Sequence, residues 1–147
     1  MSRYVKDSLV ERGISAAARY LELRGHTVID REYSCVVGDI DIVTEDEYGI
    51  HFVMVDVSNH GFPSTPKAND DNRCRLEMRA LSWLRDNPDH VDVTLSFDWI
   101  AICTVGRDRA MLKHYTNFLQ YPDEQEMRTA VAERDDADED DSGDEAA

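Results

Sequence analysis

A chain of 147 residues, 41% of them hydrophobic, is enough for one domain with its own core. A formal net charge of −15 excludes a protein that meets nucleic acid or an anionic membrane through overall attraction. No apolar run approaches the roughly 20 residues of a membrane helix, and "MSRYVKDSLVERG" has no apolar signal region, so a cytoplasmic protein is expected.

In chain order, residues 6–23 form the first expected helix, with Leu9, Val10, Ala17, Tyr20 and Leu21 at three- and four-residue spacing. Gly25 in "RGH" stops it. Strands are expected at 27–33, 39–44 and 50–58, with a turn in "EDEYG" between the last two. In the third strand Ile50, Phe52 and Met54 alternate with Val53, Val55 and Val57, so both faces are apolar and both need cover. "NHGFPSTPKAND" reads as a long loop. A second helix follows over 71–85, with Leu76, Ala80, Leu81 and Leu84 inward and Pro88 as its breaker. Residues 91–95 are strand or extended lead-in, 97–105 an apolar strand, 110–115 a closing strand and 116–120 a short helix. The order defines an α/β domain, a single mixed β-sheet flanked by helices.

The charge divides the chain. Residues 123–147 contain 12 acidic and 2 basic side chains, which leaves 19 acidic and 14 basic in residues 1–122. The reading is a folded domain over 1–122 and an acidic disordered tail over 123–147, because the tail has too little apolar surface to offset its ordering entropy. Such a tail solubilises, imitates phosphate against a basic surface, or binds a protein partner. Cys35, Cys74 and Cys103 are odd in number and form no CxxC pair, which fits reduced and mostly buried thiols. His26, His51, His90 and His114 show no metal-ligand spacing.

Asp39 and Asp41 share one strand face, and Asp56 and Ser58 share a face of the next. With Glu45 opposite Ile50, antiparallel register sets Asp39 against Asp56 and Asp41 against Met54. Asp41 and Asp56 are then diagonal neighbours about 7–8 Å apart at the backbone. One divalent ion can bridge that gap, and oxygen ligands suit Mg²⁺ or Mn²⁺ rather than Zn²⁺.

"AARYLELRGHTVIDREY", "GDIDIV" and "FVMVDVS", followed by "RLEMRALSWL", "FDWIAI" and "LKHYTNF", resemble the YraN-like bacterial endonuclease-related family, a branch of the restriction-endonuclease-like PD-(D/E)xK superfamily. The resemblance spans about residues 6–118 and implies a restriction-endonuclease-like fold and metal-assisted phosphodiester hydrolysis. It places Asp41 on the metal-binding aspartate, Asp39 where a Glu usually neighbours it, Asp56 on the second metal-binding carboxylate and the Val57 carbonyl as a further ligand. Ser58 occupies the place of the catalytic lysine. His60 stands where a basic residue often follows, and His60 or Lys67 could substitute. Ile14 stands where a Glu is usual, and Asn72 where a lysine is common. The departures run one way, since serine has no charge with which to hold water or neutralise phosphate. The expectation is a nuclease-like domain with a degenerate Mg or Mn site, weakly active or inactive, retaining contact with DNA through local clusters such as Arg73, Arg75 and Arg79 or Arg107 and Arg109. The open alternatives are an interaction module working through the tail, and an active endonuclease with relocated groups. Trp83 and Trp99 read as core.

Overall fold

The structure, a computed structural model, describes residues 8–64, 66–90, 92–119 and 126–133, the last as backbone only. Helix α1 (Ser8–Leu23) is followed by strands β1 (Thr27–Cys35), β2 (Gly38–Asp46) and β3 (Gly49–Ser58). Helix α2 (Asp70–Asp86) leads to β4 (Leu95–Val105), β5 (Arg109–Thr116) and β6 (Glu126–Glu133). The strands form one sheet in sequence order. β3 and β4 are parallel, and every other neighbouring pair is antiparallel. A parallel pair needs a crossover, and α2 supplies it. The α/β class with a single mixed, helix-flanked sheet is therefore the observed one.

The alternation in β3 divides the core in two. Val53 and Val55 pack with Ile14, Ala17 and Leu21 of α1, together with Ile100, Ile102 and Leu112. Ile50, Phe52 and Met54 face Leu76, Ala80 and Trp83 of α2, with Phe97 and Phe118. Both layers exclude water from β3, which is why its sequence is apolar at nearly every position. Close packing on the α1 side is visible at Gly13, where a Cβ would run into the Val57 side chain.

Several expectations shift. The face of α2 that turns inward is Leu76, Ala80 and Trp83, whereas Leu81 is 64% exposed. Positions 76, 80 and 83 keep the four- and three-residue spacing, and the large indole takes the space assigned to Leu81. The Trp83 N–H donates to Asp30 Oδ2 at 2.8 Å. Residues 92–94 are not strand, and residues 117–119 form turns rather than a helix. Cys35 and Cys103 are half-buried, but Cys74 is exposed. Within the segment read as tail, Glu126–Glu133 pairs along β5 from Thr116↔Glu126 to Arg109↔Glu133. Edge pairing satisfies backbone groups without requiring a strongly apolar strand, and "EMRTAVAE" places Met127, Thr129 and Val131 at alternate positions. Residues 1–7, Gln120, and 123–125 and 134–147 of the tail lie outside the described residues. Among the described residues, no helix is long and apolar enough to cross a membrane.

Candidate functional site

The β2–β3 hairpin pairs from Asp46↔Gly49 to Ile42↔Val53, with Glu45 opposite Ile50 as expected. Beyond that point the strands part. β2 stays with β1 as far as Gly38, and β3 stays with β4 as far as Ser58. Asp41 stands at the fork, 1% exposed, and its Oδ2 accepts the Val55 N–H at 2.7 Å. A side chain thus takes over a ladder hydrogen bond, and the expected ladder pairs Asp39–Asp56 and Asp41–Met54 do not form. The buried carboxylate is held by a backbone donor, which satisfies part of the polar demand created where pairing stops.

The fork opens a cavity of about 440 Å³. Asp39, Asp41 and Asp56 line it from the sheet, and Asn72, Arg75 and Arg79 line it from α2. Arg75 and Arg79 therefore do share one working face of the helix. Arg79 is fixed to the β1–β2 turn, donating from Nε to the Val37 carbonyl and from NH1 to the Asp39 carbonyl, both at 3.1 Å. Gly38, at φ 132°, leaves the space that this guanidinium fills; a Cβ there would collide with it. Arg75 is exposed and has no hydrogen-bond or ion-pair partner among the described residues. Asn72 Nδ2 donates to the Lys67 carbonyl at 2.7 Å, tying the loop to α2. Trp99, expected as core, forms part of the wall, and its buried indole N–H has no hydrogen-bond partner among the described residues.

Other predicted residues fall outside the cavity. Val57 packs against the α1-side core. Ser58 Oγ accepts the His60 N–H at 3.0 Å, so the hydroxyl is engaged in the bend that ends β3. The strand does not continue to His60, which is exposed. Ile14 is fully buried in the α1-side core. Lys67 is exposed beside Pro66, which does line the cavity.

The opposite end of the hairpin holds a cluster that sequence spacing missed. His51 Nε2 lies 2.9 Å from Asp46 Oδ1, and His51 Nδ1 lies 2.7 Å from Ser96 Oγ and 3.4 Å from Asp98 Oδ2. Asp98, fully buried, also contacts His114 Nε2 at 3.0 Å and accepts the Asn117 N–H at 3.0 Å. Tyr20 closes this chain on the other nitrogen of His114, at 3.0 Å. His26 stacks obliquely beside His51, with ring centroids 4.7 Å apart. Burial alone would raise the Asp98 carboxyl, but hydrogen bonds from His114 and His51 outweigh it and hold the group well below the usual carboxylate range. Burial disfavours charge on His51 too, yet the hydrogen bond and charge of Asp98, reinforced by Asp46, raise it to about 8. His26 is lowered by burial and by the neighbouring His51. The signal available in sequence was polarity at strand positions 46, 51 and 98, but nothing local joins residues from segments so far apart along the chain.

A single mixed sheet flanked by helices is the arrangement of a restriction-endonuclease-like fold. The chain belongs to UPF0102, the YraN-like family: the family model described as "Uncharacterised protein family UPF0102" matches residues 15–102. A UPF0102 protein of Geobacter sulfurreducens is 34% identical over 109 residues, covering 72% of this chain and 84% of the relative. One from Geobacter metallireducens is 30% identical over 112 residues, covering 75% and 90%. A third, from Rhodopseudomonas palustris, is 32% identical over 99 residues, covering 63% and 74%.

Proposed function

We propose that this is a nuclease-like domain with a degenerate divalent-ion site, one that holds a nucleic-acid phosphate but hydrolyses it weakly or not at all. The observation that supports this most is the division of roles around the fork. Carboxylates and guanidinium groups line one cavity, while the Ser58 hydroxyl is committed to a backbone bond in the adjoining bend.

Donor chemistry fits a hard cation in kind, because Asp39, Asp41 and Asp56 offer only oxygen. Asp41 and Asp56, with Asp39 beside them, would hold Mg²⁺ or Mn²⁺, which would supply charge neutralisation to a bound phosphodiester. These three carboxylates do not bring their ligand atoms within 4.8 Å of one another, so the ion would have to draw them together. The protein's own contribution is clearer. Arg79 is pinned by two carbonyls and shapes the wall, and Arg75 presents an exposed guanidinium that makes no ion pair among the described residues, which suits a phosphate. Water activation is what the cavity lacks. Among the described residues no lysine lines it, and losing such a group typically costs about 10²–10⁴-fold in rate.

The test is cleavage of branched, single-stranded and duplex DNA with Mg²⁺ or Mn²⁺. Little cleavage is expected from the natural sequence, and Ser58→Lys with Asp56→Glu should introduce metal-dependent cutting. Robust cleavage that Asp41→Asn abolishes would overturn the degenerate reading in favour of an active endonuclease with relocated groups. Absence of DNA binding at low salt, together with no activity in the double variant, would leave a protein-interaction module working through the acidic tail.

A further inference from the structure

At the closed end of the β2–β3 hairpin, His26, Asp46 and His51 place one ligand atom each within 4.8 Å of the others. They come from the residues just before β1, the end of β2 and the start of β3. Their side chains are only 8%, 16% and 13% exposed, so three polar groups share a nearly dry space. We propose that His26, Asp46 and His51 form a binding site for a borderline divalent transition metal of the Zn²⁺ type, separate from the fork.

The geometry suits this in three ways. First, the Nε2 atoms of both histidines are directed at the same carboxylate, His51 at 2.9 Å from Asp46 Oδ1 and His26 at 3.8 Å from Asp46 Oδ2. Tetrahedral zinc with ligands at 2.0–2.1 Å separates those ligands by about 3.3 Å, and one ligand atom from each of the three residues already lies within 4.8 Å of the others. The ion would replace the proton between His51 and Asp46 and draw His26 inward. Second, the His26 Nε2 lies beyond hydrogen-bonding distance of Asp46, although its ring is more than nine-tenths buried. A bound ion would tighten that long contact. Third, each histidine is anchored through its other nitrogen. His26 Nδ1 is 2.7 Å from Thr44 Oγ1, which is fully buried, and His51 Nδ1 faces Ser96 and Asp98. Asp98 is in turn held by His114 and the Asn117 N–H. A carboxylate behind a metal-bound imidazole fixes its tautomer and strengthens its donor nitrogen. The two-imidazole, one-carboxylate set favours Zn²⁺ or Co²⁺ over Mg²⁺, and water would complete four-coordination.

This site and the fork occupy opposite ends of β3. Five residues from His51 to Asp56 correspond to about 16 Å of strand. One ion cannot serve both.

The full chain, stripped with chelator and then dialysed, should be titrated with Zn²⁺ by calorimetry and with Co²⁺ by visible absorption. Binding of one ion per chain is expected, with the intense d–d bands of tetrahedral Co²⁺ that Zn²⁺ bleaches and excess Mg²⁺ does not. Two of the five histidines should shift in side-chain NMR spectra of the unsubstituted protein on adding Zn²⁺. Asp56→Asn should bind as the natural chain does, while His26→Gln and Asp46→Asn, with folding checked by circular dichroism, should weaken affinity at least tenfold. Failure of the natural chain to bind Zn²⁺ stoichiometrically would overturn the site, as would unaltered affinity in folded His26→Gln. Loss of binding in Asp56→Asn would instead assign the ion to the fork.

Discussion

The two ends of β3 solve the same electrostatic problem differently. At the fork, Asp39 and Asp56 sit half-exposed beside an open cavity, with arginines on the facing helix and water able to enter, while Asp41 is buried behind them on the Val55 N–H. At the hairpin end, Asp46 and Asp98 are packed among imidazoles, and Asp98 has no exposure at all. An open carboxylate can be screened by solvent or by whatever ligand enters, so its contribution to stability is small. A closed one must be paired within the protein, so it contributes rigidity and is expensive to disturb. The fork is therefore built for exchange with the surroundings, and the hairpin end for a fixed arrangement.

Substitutions should separate the two ends by size of effect. Asp98→Ala removes the buried carboxylate shared by His51, His114 and the Asn117 N–H, and should cost about 3–5 kcal/mol in urea denaturation. A loss below ~1 kcal/mol would show that the network is not the rigid element described. Asp41→Ala should cost about 1–3 kcal/mol, because it removes the carboxylate that accepts the Val55 N–H, whereas Asp41→Asn keeps an acceptor there and should cost less. Asp56→Ala, at the half-exposed rim, should change stability by about 0.5 kcal/mol or less on the same assay. If Asp41→Ala and Asp56→Ala prove equal, the fork is not organised by the Asp41–Val55 bond.

Function should divide the other way. Arg75→Ala should leave the melting temperature nearly unchanged but weaken DNA binding and reduce its log–log salt slope by about 1. An unchanged slope would remove Arg75 from the phosphate contacts.

The smallest effect is a pH dependence at the hairpin end of the metal-free chain. His51 is raised in the folded state, so its contribution is fully present below the unfolded value of 6.5 and is lost as pH rises through about 8. The groups facing it are Asp46 of β2, Asp98 and Ser96 of β4, and His26 ahead of β1. Asp98 acts at the other extreme: its folded value is depressed, so its contribution is present above 3.8 and is lost on acidification below that. Urea midpoints should accordingly fall modestly between pH 6.5 and 9, and His51→Gln should flatten that slope. A His51→Gln variant with the natural slope would assign the dependence elsewhere.

Much of this was readable in the residues. The alternating β3 sequence named its own two faces, "EDEYG" fixed the hairpin register, and the "GDID" and "FVMVDVS" segments identified the family and pointed to Asp39, Asp41 and Asp56. These signals are local, because strand period, turn chemistry and motif spacing are properties of neighbouring residues. Less local matters went differently. Leu81 and Trp83 are both apolar, and only the packing of α2 against Phe52 and Phe97 decides which turns inward. Strand β6 was hidden in an acidic segment because its pairing with β5 depends on backbone groups rather than on a hydrophobic pattern.

By itself, then, the sequence determined the α/β class and the register of the hairpin, and it pointed to Asp39, Asp41 and Asp56. Only the tertiary structure decided that β2 and β3 part at Asp41, that Arg75 and Arg79 face the carboxylates across a cavity, and that Ser58 is bound into the following bend. It alone brought His26, Asp46, His51, Asp98 and His114 together. The reason is physical: hydrogen bonds and burial act through space, and the five segments that build this network are separated along the chain by distances that no sequence period spans.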